Sequence, residues 1–156
     1  MASQRPILAL STGDPGGIGP EICLKAALSQ DVQRLCQPVL IGDPMVMEAH
    51  IKGGGLPGIV DPVSSLAEVN GATNHLPLIA RDQFSDAPFQ MGAITAQNGA
   101  ASVDNSVTAI QLALEGNVAA VVAAPNTKSS INRAGIDYDG YLSLVARLTG
   151  QSQEDI

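Results

Sequence analysis

The chain has 156 residues, 45% hydrophobic and 15% charged, which suits one soluble folded unit with an aliphatic core and excludes a disordered chain. A formal net charge of −7 and just four large aromatic rings (Phe84, Phe89, Tyr138, Tyr141) exclude a nucleic-acid surface, which needs clustered cations and stacking platforms. With no apolar run approaching ~18 residues and a leading stretch too short for a secretory core, neither a membrane partner nor a nucleic-acid partner is expected, and the expected location is cytoplasmic.

Ile7–Leu10 is a short apolar run between Pro6 and a glycine-rich loop, as expected of a strand buried on both faces. The loop itself reads Ser11-Thr12-Gly13-Asp14-Pro15-Gly16-Gly17-Ile18-Gly19-Pro20-Glu21. From Pro20 the pattern turns helical, with proline and then Glu21 in the first turn, followed by Ile22, Leu24, Ala26 and Leu28. Cys23 falls inside this helix as a small buried thiol, and with Cys36 it makes no disulfide framework. Pro38–Asp43 reads as a second strand and the segment from Pro44 as a second helix. Residues 53–77, rich in Gly, Pro, Ser and Asn, are expected to form loops and short strands.

Thr95–Asn117 is the strongest helix: Val103, Val107, Ile110 and Leu114 recur at helical spacing, and Gly116-Asn117 ends it. Val118–Pro125 is then expected to be a buried strand. A short helix follows over Lys128–Ala134 and another over Tyr141–Leu148, closing at Gly150. Strand and helix in alternation predict an α/β fold, layered, with a mostly parallel sheet and flanking helices. Such sheets take ligands at the carboxyl ends of their strands, which makes the loops at 11–20 and 124–130 the candidate walls of a site.

The glycine loop fits neither familiar phosphate-binding template. Counting from Gly17 and Gly19, the dinucleotide fingerprint places its third glycine on Ile22. The Walker pattern from Gly13 finds Ile18 and Gly19 where it needs glycine and lysine. A tight strand-to-helix turn and an anion site of free backbone N–H groups both remain open readings. No metal site is visible, since His50 and His75 are the only histidines and no carboxylates fall into a ligand spacing. Asn126, Thr127, Lys128 and Ser129 follow a predicted strand, where polar side chains line a cleft. Lys128 there is either a point charge for a carboxylate or phosphate or an ordinary surface lysine.

Three blocks occur in order: "GDPGGIGPEI" at Gly13–Ile22, "MGAITAQNG" at Met91–Gly99, and "AAPNTKSSINRAGIDYDGY" at Ala123–Tyr141. Together they resemble the 4-hydroxythreonine-4-phosphate dehydrogenase family of vitamin B6 biosynthesis. The resemblance implies an isocitrate/isopropylmalate dehydrogenase-like fold of two α/β domains, acting as a homodimer. Residues 1–156 are then expected to be the N-terminal portion of a longer chain, inactive alone. The implied reaction is oxidation of a hydroxy acid by NAD or NADP, followed by decarboxylation. The implied divalent metal (Zn, Mg or Co) would be held by three histidines beyond this chain.

By the same resemblance, Asp14, Gly17 and Gly19 shape the cofactor cleft, and Asn126, Lys128, Tyr141 and Leu142 meet the small-molecule substrate. Tyr141 and Leu142 stand where the family carries a His-Thr pair, a departure that resembles a sister branch acting on the non-phosphorylated cis-dihydrodiol of terephthalate. A non-catalytic module that binds a small anion is the expectation of a different class.

Overall fold

A computed structural model describes residues 5–69, 74–85 and 89–156. The part of the loop assignment at 70–73 and the leading residues 1–4 lie outside them. Five parallel strands form one sheet in the order β3-β4-β2-β1-β5: β1 Ile7–Ser11, β2 Gln37–Gly42, β3 Ile59–Val63, β4 His75–Ala80 and β5 Ala120–Ala123. The helices are α1 Gly19–Leu28, α2 Gln30–Leu35, α3 Pro44–Gly54, α4 Ala96–Leu114, α5 Lys128–Arg133 and α6 Tyr141–Thr149.

Alternation along the strands divides the core in two. Leu10, Leu40, Leu76 and Leu78 share a cluster with Cys23, Leu24 and Ala27 of α1 and with Val46 and Met47 of α3. The intervening positions Ala9 and Ile41, with Ile79 and Val121 at the margin, pack with Ala109 of α4 on the opposite side. Each fully buried leucine contributes about 1.5–3 kcal/mol of transfer free energy, so this two-sided burial supplies most of the drive to fold. A third cluster joins Ile110 of α4 to Ile131 of α5, Tyr138, and Leu144 of α6.

Local chemistry sets the element ends. Asp43 caps α3, accepting from the Met45 and Val46 amides at 2.8 and 3.4 Å through Oδ1. Its other oxygen takes the Gln83 and Phe84 amides at 2.7 and 3.0 Å, tying the chain after β4 to the end of β2. Thr95 caps α4 by accepting the Asn98 amide at 3.1 Å. Gly99 in the first turns of α4 lets α5 touch it: an added Cβ would lie 2.1 Å from the Ser130 carbonyl oxygen.

Three expectations are corrected. The strand His75–Ala80 starts inside the stretch 53–77, read as loops and short strands, but runs three residues beyond it, the reading having stopped where Pro77 interrupts the pattern. The β2–β4 ladder starts only at Leu40–Leu78, so Pro38 and Pro77 sit outside it and remove none of its bonds. β5 is shorter than Val118–Pro125 and is not buried: it lies at the end of the strand order, flanked only by β1, with Val122 exposed.

The third correction concerns α4. The stripe Val103, Val107, Ile110 and Leu114 is a flank; Leu114 is exposed, and the centre of the buried face is Asn98, Ala101, Ser102, Asn105, Ser106 and Ala109. These polar groups are satisfied internally. Ser106 donates to the Ser102 carbonyl at 3.0 Å and meets the Ser11 hydroxyl at 3.2 Å. Asn105 donates to Thr12 Oγ1 at 3.3 Å and accepts from Gln83 at 3.0 Å. A small-polar seam thus runs beneath the carboxyl ends of β1 and β2.

Candidate active site

The loop after β1 is held from every side. Gly13 has φ +70°, and an added Cβ would lie 2.4 Å from the Pro125 carbonyl oxygen, so only glycine lets this loop touch the one after β5. The Asp14 amide donates to that same Pro125 oxygen at 3.1 Å. Thr12 Oγ1 donates to the Ile41 carbonyl at 2.7 Å, and His50 Nε2 lies 2.9 Å from the Pro15 carbonyl oxygen. This backbone seam lies where the connections after β1 and after β5 leave toward opposite sides of the sheet, the usual place for a ligand crevice.

Of the residues expected to shape a cofactor cleft, Asp14 is buried. Its Oδ1 accepts the Gly16 amide at 2.8 Å and its Oδ2 accepts the Ser130 hydroxyl at 2.9 Å, so both oxygens are engaged inside the protein. Gly19 is buried as well; an added Cβ would lie 2.3 Å from the Thr12 carbonyl oxygen, which makes its role close packing of α1 on the loop. Gly17 differs, since its added Cβ would meet nothing nearer than Asp14 at 3.4 Å. It leaves backbone open on the outer side of the loop. Glu21, in the first turn of α1, pairs with Lys25, and that partner holds its carboxyl below the usual range.

The loop after β5 walls a cavity of about 400 Å³ lined by Ala123, Ala124, Pro125, Asn126, Lys128, Tyr138, Gly140 and Tyr141. Three of the four expected substrate residues (Asn126, Lys128, Tyr141) therefore converge. Leu142 does not. Neighbouring helical residues point ~100° apart, and Leu142 turns into an adjacent apolar hollow with Ile110, Leu114 and Val145. Burial, with the neighbouring Tyr138, pushes the Tyr141 phenol up, so it stays a protonated donor at neutral pH.

Two residues that the sequence reading passed over stand with Asn126: Tyr138 in the cavity wall and Ser102, fully buried, behind it. Ser102 donates to Asn126 Oδ1 at 2.8 Å, and Asn126 Nδ2 donates to the Tyr138 hydroxyl oxygen at 3.1 Å. Tyr138 has the only visible signal, as a second tyrosine three residues before Tyr141; a serine in the middle of a helix has none.

The lining of this cavity contains one cation, one amide, two phenols and no carboxylate. In a chain with 15 acidic and 8 basic side chains, that composition fits a small anionic ligand. Asp137 and Asp139 line a different hollow beside Arg147. Among the described residues no three His, Cys, Asp or Glu side chains come together to hold a metal ion. His50 is buried under the loop, and His75 pairs with Asp61 at the surface. Among the described residues no helix is long and apolar enough to cross a membrane.

Parallel strands, connections leaving to opposite sides and a polar cavity at the strand ends define an α/β domain of the kind that handles small ligands. The chain belongs to the PdxA family, described as pyridoxal phosphate biosynthetic protein PdxA, whose profile matches residues 34–155. A relative from Symbiobacterium thermophilum, provisionally named a D-threonate 4-phosphate dehydrogenase, is 37% identical over 94% of this chain and 44% of its own length. The 4-hydroxythreonine-4-phosphate dehydrogenase of Geobacter metallireducens is 32% identical over 96% of this chain and 44% of its own. The crystal structure of a 4-hydroxythreonine-4-phosphate dehydrogenase from Burkholderia phymatum superposes with a TM-score of 0.90 at 25% identity, covering 96% of this chain and 45% of that one. The chain thus spans less than half the length of the relatives it matches.

Proposed function

We propose that this chain serves as the N-terminal portion of a two-domain, homodimeric dehydrogenase that oxidises a phosphorylated hydroxy acid with NAD or NADP and then decarboxylates it. The observation that carries the reading is the cavity beside Lys128, whose lining presents a cation, an amide and phenols but no carboxylate. Lys128 supplies the counter-charge for a phosphate or carboxylate, and Asn126 and Tyr141 orient the ligand through hydrogen bonds. The open flank at Gly17 is the approach for the cofactor, which supplies the hydride acceptor when bound. Asp14 and Gly19 serve that approach indirectly, by fixing the loop. Among the described residues no three metal-ligating side chains come together, and the roles given to Lys128, Asn126 and Tyr141 do not run through the Zn, Mg or Co that the family resemblance assigns to histidines beyond this chain.

The test is a steady-state assay of the full-length protein with NAD or NADP and a divalent metal. Turnover of 4-hydroxythreonine-4-phosphate or D-threonate 4-phosphate is the expected result. Turnover of neither, with oxidation of a non-phosphorylated dihydrodiol carboxylate instead, would move the protein to the sister branch. Anion binding without turnover of any of them would make it a binding module.

A further inference from the structure

Tyr138 is almost wholly buried, its ring packed with Ile110, Ile131 and Leu144, yet it lines the anion-suited cavity. Its oxygen accepts a hydrogen bond from Asn126 Nδ2, and the amide is held in that sense because its other end accepts from Ser102. A phenol oxygen that is already accepting has its own proton left to give. Among the described residues no acceptor takes that proton. A donor with no acceptor among the described residues, at the wall of a cavity free of carboxylates and beside a lysine, is matched by an acceptor on a ligand.

We propose that Tyr138 is a further substrate-contacting residue: its hydroxyl proton, aimed by the Ser102–Asn126 chain, donates to an anionic oxygen of the ligand. This rests on reading the cavity as an anion site and adds a specificity contact to it. Ser102 acts through Asn126 and is a positioning residue: without it the amide is free to reverse, offering its own oxygen to Tyr138 and drawing the proton away from the ligand. Phosphate and carboxylate oxygens share the required chemistry.

The experiment uses the full-length protein and titrates it by calorimetry with inorganic phosphate and, separately, with malonate. Tyr138→Phe keeps the ring and removes only the hydroxyl. The expected result is an affinity about tenfold weaker for at least one probe, the loss of one well-aligned bond, with the melting temperature within about 2 °C of wild type. The probe that weakens identifies the ligand group. Ser102→Ala is expected to weaken the same probe by about threefold, as orientation is lost but the phenol is kept. Unchanged affinity of Tyr138→Phe for both probes overturns the proposal, as does a wild-type protein that binds neither. A loss of affinity matched by a drop of more than about 5 °C in melting temperature also overturns it, by showing a structural role. A Tyr138-dependent phosphate site in a protein that turns over neither phosphorylated acid would leave this assignment standing and overturn the proposed activity instead. In an active enzyme the same variant is expected to raise KM and spare kcat, as a uniform binding contact does.

Discussion

The Ser130 hydroxyl donates to Asp14 Oδ2 at 2.9 Å, joining positions 116 residues apart and both buried. Through this bond the loop after β1 and the helix after β5 form one rigid piece, and Asp14 uses its second oxygen to shape its own turn. Asp14→Ala is therefore expected to cost about 2–3 kcal/mol of stability in urea unfolding, because it strands a buried hydroxyl as well as losing a charged acceptor. The double variant with Ser130→Ala should lose less than the sum of the two singles, and an additive result would show that the bond contributes nothing.

Glycines in this protein divide by what surrounds them. Gly99→Ala would place a methyl 2.1 Å from backbone of α5, which cannot yield as a side-chain tip does, and the expected cost is above about 3 kcal/mol. Gly17→Ala meets its nearest neighbour at 3.4 Å and is expected to stay within about 0.5 kcal/mol of wild type, while weakening NAD(P) binding in the full-length protein if the cofactor approaches there. Thermal melts of the pair, with cofactor titration of the second, check both statements.

Lys128 and Leu142 separate the two hollows around α6. Lys128→Ala is expected to weaken phosphate binding to the full-length protein by about tenfold at low salt, with the difference shrinking as ionic strength rises. Leu142→Ser should leave phosphate affinity within about twofold, because that side chain lines the apolar hollow. A large effect at Leu142 would bring it back into the ligand wall.

Burial pushes the Cys23 thiol up to about 12, from 9.0. Only the thiolate alkylates, so at pH 8 its native fraction is ~10⁻⁴ and iodoacetamide should label Cys23 at the rate of global unfolding. The linkage has a definite sign. Below pH 9 the thiol is protonated in both states and its contribution is intact. Between pH 9 and about 12 the unfolded chain ionises first, so stability falls, and Cys23→Ala should flatten that part of the profile.

The elements built on aliphatic runs or prolines at helix starts were legible: β1, α1, β2, α3 and α6 stand close to where periodicity and helix-end chemistry put them. α2 was not, since "QDVQRL" has no buried face to reveal it. α4 was read as a helix, but its inward face was misjudged: hydrophobic spacing finds flanks such as Val103 and Val107, whereas the sheet is met by Ala, Ser and Asn. Asn126 and Lys128 were found because polar residues after a strand mark a cleft, while Tyr141 came, with Leu142, from the family resemblance. Tyr138 and Ser102 were missed because their value lies in a hydrogen-bond chain that no spacing rule encodes.

The small-polar seam of α4 also acts as a set of wards on a key. A slide of one residue, ~1.5 Å with a ~100° turn, would press Asn98, Ser102, Asn105 and Ser106 against aliphatic neighbours, each orphaned group costing about 1–3 kcal/mol. An all-leucine face would tolerate several seatings; this one tolerates one. Because Asn105 reads the position of Thr12 and Ser102 that of Asn126, the helix gauges the two loops against each other from below. The spacing between the loop after β1 and the cavity after β5 is thereby set by a rigid rod rather than by the loops themselves.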